Sequence, residues 1–418
     1  MRSFLFPFFM LLTACSVSEI SVRHKVKQMD SLHDVKVSAT SRCLHETFPP
    51  ASSDADVLFG YARWLQRNNQ LRRDVGVNVQ VERLYRISAE HDHYKANINL
   101  QNGAMRGHFK LRGWEHLRFS EKLIEAKVAT GYLFVAYFLE QGSAGLQQDS
   151  EMALRYYRRA ADEGSALAQY YVAEKLESID ALSQVANEMY RCAAEQGHGK
   201  ASVALGIILR EGGKYREALE VLQLGIAGGY EHSAGRLGNA FRVQPAHSTR
   251  YFGMDEDIER ADRYKAIWSI LANYSYADPK VPEINEIVPL PPAKLPPWDG
   301  KLQWLEARLA NVPPEKPSEA LIQKLAKEKL LDPASGKPLP GSPALSKADF
   351  PIMVCASGQA CPESGYWKVM YRGGEHIRYF NEGEVMPTHL MVWTHPRPWP
   401  LRDKPMQREI HVEWGLLG

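Results

Sequence analysis

Apolar residues recur along the first two thirds of the chain at spacings of three and four, the period of amphipathic helices. The pattern is broken at regular intervals by a glycine, followed four positions later by a small residue. The segments ADEGSALAQYYVA, AEQGHGKASVALG and AGGYEHSAGRLG share this frame, with Gly164, Gly197 and Gly229 at the breaks. Their separations of 33 and 32 residues are the length of a two-helix repeat. A weaker copy places Asp92 and Ala96 in the frame, and another places Glu125 and Ala129 there. About five units are expected, two of them degenerate.

Each conspicuous position has a steric reason. Gly164 and Gly197 stand where a helix ends with positive φ, which costs glycine no Cβ clash. Ala168 and Ala201 are small because the next helix crosses close by, and Ala160, Ala161, Ala193 and Ala194 do the same on the second helix. Tyr156, Tyr157, Leu205 and Leu219 supply the bulk between layers. A lone unit cannot bury its apolar face, so such units are stable only as a stack.

These units resemble Sel1-like repeats, relatives of the tetratricopeptide family. The best match runs from Ala129 to Gly164, with the glycine-bearing loop Gly142 to Asp149 and the second helix ALRYYRRAADEG. The next unit has a shortened loop around Ser178 to Ser183, and the last lacks a clean closing glycine. The resemblance covers roughly residues 55–275 and implies a mainly α protein: an α-solenoid that binds peptides or proteins and carries no catalytic residues. A small C-terminal α+β domain is expected to follow it.

Prolines crowd the chain after the helical stretch Asp257 to Tyr274, at positions 279, 282, 289, 291, 292, 296 and 297. Such a run breaks helix and central strand and reads as a semi-stiff spacer, so residues 276–349 are expected to be a linker with short helices. DGKLQWLEARLA sets Leu302, Leu305 and Leu309 on one face with Asp299 as N-cap, and Ser318 caps EALIQKLAKEKLL. From 350 to 418 the segments GYWKVMYR, EHIRYFNEG and REIHVEWGLL are rich in aromatic and β-branched residues, with Gly373-Gly374 as a hairpin turn. They predict a small antiparallel β domain. Two or three of Trp367, Trp393, Trp399 and Trp414 would form its core.

The first residues read as an address. Met1-Arg2 precedes an apolar run of about nine residues from Phe4 to Leu12, too short for a permanent membrane span. Leu12-Thr13-Ala14-Cys15 follows at once and resembles a bacterial lipobox. The resemblance implies a signal peptide over residues 1–14, lipidation at Cys15, and a tether and cap over residues 15–54. With Ser16 next, it implies the periplasmic, inner leaflet of the outer membrane. In that oxidising compartment Cys355 and Cys361, which enclose a short loop, are candidates for a local disulfide. Cys192 reads as a small buried residue, and Cys43 has no evident partner.

Composition narrows the function. Lys plus Arg number 51 against 49 for Asp plus Glu, a net charge of +2, so there is no electrostatic footprint for nucleic acid. His376, His389, His395 and His411 with the two late cysteines fit no zinc spacing, and neither phosphate-binding glycine loops nor a nucleophile elbow occur. His198 with Lys200 has the bare spacing of the phospholipase D signature but falls in a repeat turn. No cofactor, metal or catalytic residue is expected, and the chain reads as a non-enzyme.

The tail segments CPESGYWKV and EGEVMPTHLMVW, through Cys361, Pro362, Gly365, Tyr366, Trp367, Gly383, Met386 and Pro387, resemble the C-terminal domains of bacterial immunity proteins. These are Sel1-repeat lipoproteins that neutralise type VI secretion phospholipase effectors. The resemblance implies a secreted toxin as protein partner, occluded by direct binding. A scaffold or regulator of an envelope assembly is the alternative. Candidate partner-binding residues are Arg155, Arg158, Arg159, Tyr170 and Arg191 in the repeats, and Arg378, Tyr379, Trp393 and Trp399 in the tail, since arginine and aromatic side chains dominate binding hot spots.

Overall fold

The computed structural model describes residues 43–346 except 147, 180 and 181, and residues 354–416 except 363, 370–376 and 396–403. The lipobox and Cys15 lie outside the described residues. The chain divides after Leu339 into two compact units.

Residues 53–273 form six consecutive helix pairs: α1 (Ser53–Asn69) with α2 (Val75–Glu90), α3 (Tyr94–Met105) with α4 (Gly113–Glu125), and α5 (Thr130–Gln141) with α6 (Ser150–Asp162). Then follow α7 (Ala166–Leu176) with α8 (Ser183–Glu195), α9 (Gly199–Glu211) with α10 (Tyr215–Ala227), and α11 (Glu231–Ala240) with α12 (Ile258–Asn273). The same turn joins each pair to the next. Its residue of positive φ is Asp92, Lys127, Gly164, Gly197 or Gly229. The next N–H reaches back five residues: His93 to Ser88, Val128 to Leu123, Ser165 to Ala160, His198 to Ala193 and Tyr230 to Gly225, at 2.8–3.2 Å. This bond satisfies a carbonyl at the helix end.

Two expectations shift. Five such turns join six pairs, so the array is one pair longer than the turn count suggested. In the second degenerate copy the turn is at Lys127 rather than Glu125, and the small residue is Gly131 rather than Ala129. A Cβ on Gly131 would stand 2.7 Å from the Ser120 carbonyl, so the close crossing selects it. The other small positions hold: Ala160, Ala161, Ala168, Ala193, Ala194 and Ala201 are all buried. Tyr157 and Tyr190, one repeat apart, fill the layers and donate their hydroxyls to Glu140 and Glu177 at 2.5 and 2.6 Å.

Charge is buried where the first two pairs meet. Arg86 of α2 donates to Glu115 of α4, and Arg118 of α4 donates to Glu90 of α2. All four residues are at most 7% exposed. The pairing is reciprocal, so each charge removed from water has an opposite charge and hydrogen bonds to it. Guanidinium contacts hold both carboxyls below the usual carboxylate range against the upward push of burial. Between α3 and α4 a further polar chain is buried: the Asn97 amide donates to the Phe119 carbonyl, Gln101 to Asn97, and His116 Nδ1 lies 3.1 Å from Gln101 Oε1.

The residues before α1 are a strap across the repeats rather than a loose tether. Cys43 is bonded to Cys192 of α8. The Leu44 carbonyl accepts from Gln169 at 2.9 Å, and the Glu46 N–H donates to Gln196 at 3.0 Å. The Glu46 carboxylate accepts from the Thr130 N–H and hydroxyl at 2.6 and 2.9 Å, satisfying the start of α5. Gly164 lies directly beneath the strap, where a Cβ would meet Glu46 N at 2.8 Å. Cys43 thus has a partner, which corrects the sequence reading.

The proline-rich stretch is not a spacer. Val281, Ile284, Ile287, Val288, Leu290 and Leu302 are buried in the same core as α5 to α12. Proline lacks the N–H for a helix or sheet ladder, so the carbonyls at Ile287 to Pro296 that face the array lack ladder partners. Side chains of α10 and α12 do it instead: Gln223 donates to Val288, Arg260 to Pro289 and Ala293, and Arg263 to Ile287 and Pro296, at 2.6–3.2 Å. Arg216 donates to the Pro291 carbonyl.

A four-residue turn, α13 (Ile284–Ile287), lies in this stretch, and α14 (Gln303–Ala310) follows it. Asp299 accepts from the Lys301 N–H instead of capping α14, and Leu309 is 64% exposed, so only Leu302 and Leu305 face inward as expected. Trp304 packs edge-on against Tyr274, just after α12, while Asn311 accepts from Trp64 and Asn68 of α1 at 3.0 and 3.1 Å. An eight-residue helix is about 12 Å long. The first and last pairs are therefore joined by one short helix. Next, α15 (Glu319–Glu328), capped by Ser318 as expected, buries Ile322, Leu325 and Ala326 in the core of α1 and α2. Residues 281–339 are a return segment that binds both ends of the array.

In the second unit a short helix, α16 (Pro343–Ser346), precedes six strands: β1 (Val354–Ala356), β2 (Gly365–Val369), β3 (Ile377–Phe380), β4 (His389–His395), β5 (Lys404–Ile410) and β6 (Glu413–Leu416). One antiparallel sheet has the order β1-β6-β2-β3, and β4 pairs with β5. The β2–β3 hairpin forms as predicted, with Gly373-Gly374 outside the described residues. REIHVEWGLL is two strands, because Val412 leaves the ladder to bond Ser357. Trp367 and Trp414 are core, as expected of two tryptophans. Cys355 and Cys361, the candidates for a local disulfide, are instead separate thiols buried in this core, and the Cys355 thiol donates to Gln359 Oε1 and to the Ala360 carbonyl, each at 3.6 Å. Among the described residues no helix is long and apolar enough to cross a membrane.

Candidate partner-binding site

A cavity of about 260 Å3 opens on the last helix pair. His232, Gly235, Arg236 and Asn239 line it from successive turns of one face of α11, Trp268 from α12, and Thr249, Arg250 and Phe252 from the loop between them. The indole packs beside Gly235, where a Cβ would make a van der Waals contact with Trp268 at 3.4 Å. The indole is 43% exposed at the rim, while Phe252 is buried beneath.

Cations crowd this cavity. Arg210, behind Phe252, is paired with Glu211 at 2.8 Å, and His232 lies 3.1 Å from Glu231. No carboxylate lines the cavity, and neither the Arg236 nor the Arg250 guanidinium has a hydrogen bond or ion pair among the described residues. Burial, then the neighbouring charge of Arg210, holds Arg236 below the usual arginine range. Two forked donors beside an exposed indole make a receptor for a planar anion carried on an apolar stem.

The residues singled out from the sequence lie elsewhere. Arg155, Arg158 and Arg159 of α6 are held by Glu151, Asp162 and Glu163 one turn away, and Arg191 of α8 by Glu217. Arg159 also lies over the Tyr132 ring. Tyr170 donates to Glu174 and packs on His198 with ring centroids 4.6 Å apart. In the second unit Arg378 lies over Phe380 and pairs with Glu384, and Tyr379 is 47% exposed on β3. Trp393 is placed on β4 opposite Met406, and Trp399 lies outside the described residues.

His198 is structural. Its Nδ1 accepts from the Ala201 N–H at 3.2 Å as the cap of α9, and burial pushes its pKa down to about 4. His93 caps α3 the same way. Cys43, His45 and Cys192 converge as metal ligands would, but the two sulfurs are bonded to each other and so offer no thiolate.

Residues 233–339 match the family model of a domain of unknown function, DUF6396. That span begins in α11, contains Arg236, Arg250 and Trp268, and ends with the return segment where the first unit ends. No curated protein matches. Solved structures similar to this chain include Pseudomonas aeruginosa 5086 (PA5086), 23% identical with a TM-score of 0.46, covering 60% of this chain and 95% of that one. Immunity protein PA5088 from the same organism is 21% identical with a TM-score of 0.47, covering 60% and 94%. A Sel1 repeat protein from Oxalobacter formigenes is 19% identical with a TM-score of 0.35, covering 46% and 76%.

Proposed function

We propose that this chain is an exported lipoprotein, anchored through Cys15 to the inner leaflet of the outer membrane, that binds a secreted toxin and blocks it. The toxin class we favour is the phospholipase-type effector of type VI secretion, as the resemblance of the repeats and tail to immunity lipoproteins implies. The observation that carries the reading is the helix-pair array with an open, unneutralised cationic and aromatic cavity on its last pair. That is the make-up of a protein-binding hot spot. The strap and the return segment stiffen the array before binding, which lowers the ordering cost of association.

The test is rescue. A toxin encoded beside this chain's gene is directed to the periplasm of a susceptible host, with and without the chain. Survival only in its presence, lost when Cys15→Ala removes the anchor or when the cavity is altered, is the expected result. Equal killing with and without the chain refutes the reading.

A further inference from the structure

We infer that the cavity between α11 and α12 receives one acidic side chain of a partner protein, its carboxylate held by Arg236 and Arg250 and its stem laid against Trp268. The inference rests on the protein-binding reading but concerns only which group is read and where.

Three observations carry it. First, the volume of about 260 Å3 lies below the roughly 300–1,000 Å3 of small-molecule sites, so it suits one side chain better than a cofactor. Second, the charges are one-sided. Every other arginine of α10 to α12 named above is occupied by a carboxylate or a carbonyl, whereas Arg236 and Arg250 face the cavity with neither. Third, Trp268 remains 43% exposed although Tyr264 and Ile267 of the same helix are fully buried. An indole left at the rim of a cationic cavity contributes its apolar face only when something covers it.

A carboxylate on a partner meets all three conditions. Arginine forks match its two oxygens, and an aspartate or glutamate stem is short enough to lie on one ring. A free inorganic anion would use the guanidiniums and leave the indole bare.

The experiment follows the Nε–Hε signals of Arg236 and Arg250 by NMR in the full chain. The probes are N-acetyl-glutamate amide, N-acetyl-glutamine amide and inorganic phosphate. The expected result is a saturable shift with the glutamate probe, none with the glutamine probe, and a weaker response to phosphate. Arg236→Gln and Trp268→Ala should each weaken glutamate binding by about tenfold or more at unchanged melting temperature. Should Arg236→Gln fail to fold, Arg236→Lys and Arg250→Gln serve, since they keep or remove charge at the rim.

Absence of any shift with the glutamate probe overturns the inference. So does a phosphate response that equals it and ignores Trp268→Ala, which would mark a site for free anions. Either failure leaves the rescue test standing, because a toxin could still be bound through another surface.

Discussion

The Cys43–Cys192 bridge makes the strap a fixed part of the array, and Cys43→Ser is the clean way to remove it. Cys43 is exposed and Cys192 is 2% exposed, so altering Cys43 breaks the bond without opening a hole in the core. The bond spans 149 residues and encloses three of the six helix pairs and most of the fourth. In the loop-closure treatment a loop of that length lowers the entropy of the unfolded chain by about 17 cal/mol/K, or about 5 kcal/mol at 25 °C. Residual structure in the unfolded state reduces this, so a loss of about 2–5 kcal/mol is expected. Urea unfolding followed by circular dichroism, with and without reductant, measures it. The wild type in reductant should fall to the midpoint of Cys43→Ser, and the variant should not respond to reductant at all. Equal midpoints for oxidised wild type and variant would refute the strap as a structural member.

Glu115→Ala leaves the buried Arg86 with Glu82 as its remaining carboxylate partner and should cost about 3 kcal/mol in the same assay, more than Glu151→Ala, which removes an exposed partner of Arg155. Gly164→Ala meets both a φ of 103° and the strap backbone 2.8 Å away, so it should lower the melting temperature more than Gly213→Ala, where φ is also positive but the space is open. Stability should also fall with acid in a defined window. Burial holds His116 down at about 4, so the folded state binds fewer protons than the unfolded state between the ordinary histidine value near 6.5 and that value. The contribution is complete above pH 6.5 and is lost as pH falls towards 4, up to about 3 kcal/mol for this buried group. His116→Gln should reduce the pH dependence of the melting temperature across that range, leaving the part that comes from His198.

The repeats were legible because their turns depend on local chemistry. A residue of positive φ and a small neighbour are visible in single letters at Gly164, Gly197, Gly229 and even Asp92. The frame slipped at Lys127 because Ala126, Ala129 and Gly131 are all small, and only the crossing helix chooses among them. Long-range partners were illegible. Nothing in the residues around Cys43 announces Cys192, and a proline-rich stretch reads as a spacer until the arginines that bind its carbonyls are in place. The cavity was hidden for the same reason. Arg236, Arg250 and Trp268 come from three elements, and the arginines chosen from the sequence proved to be paired already, Arg155, Arg158 and Arg159 with carboxylates one turn away, Arg191 with Glu217 and Arg378 with Glu384. What separates an anchor from a helix surface is whether its charge is already neutralised, and that is a property of the folded neighbourhood.

The central claim is that the array binds and silences one protein toxin. It is tested most directly by mixing the purified chain with a candidate toxin taken from the neighbouring reading frames and measuring complex formation by calorimetry and residual toxin activity together. A one-to-one complex that abolishes activity, weakened by Arg236→Gln, is the predicted result. Full toxin activity in a large excess of the chain, with no heat of binding, would contradict it.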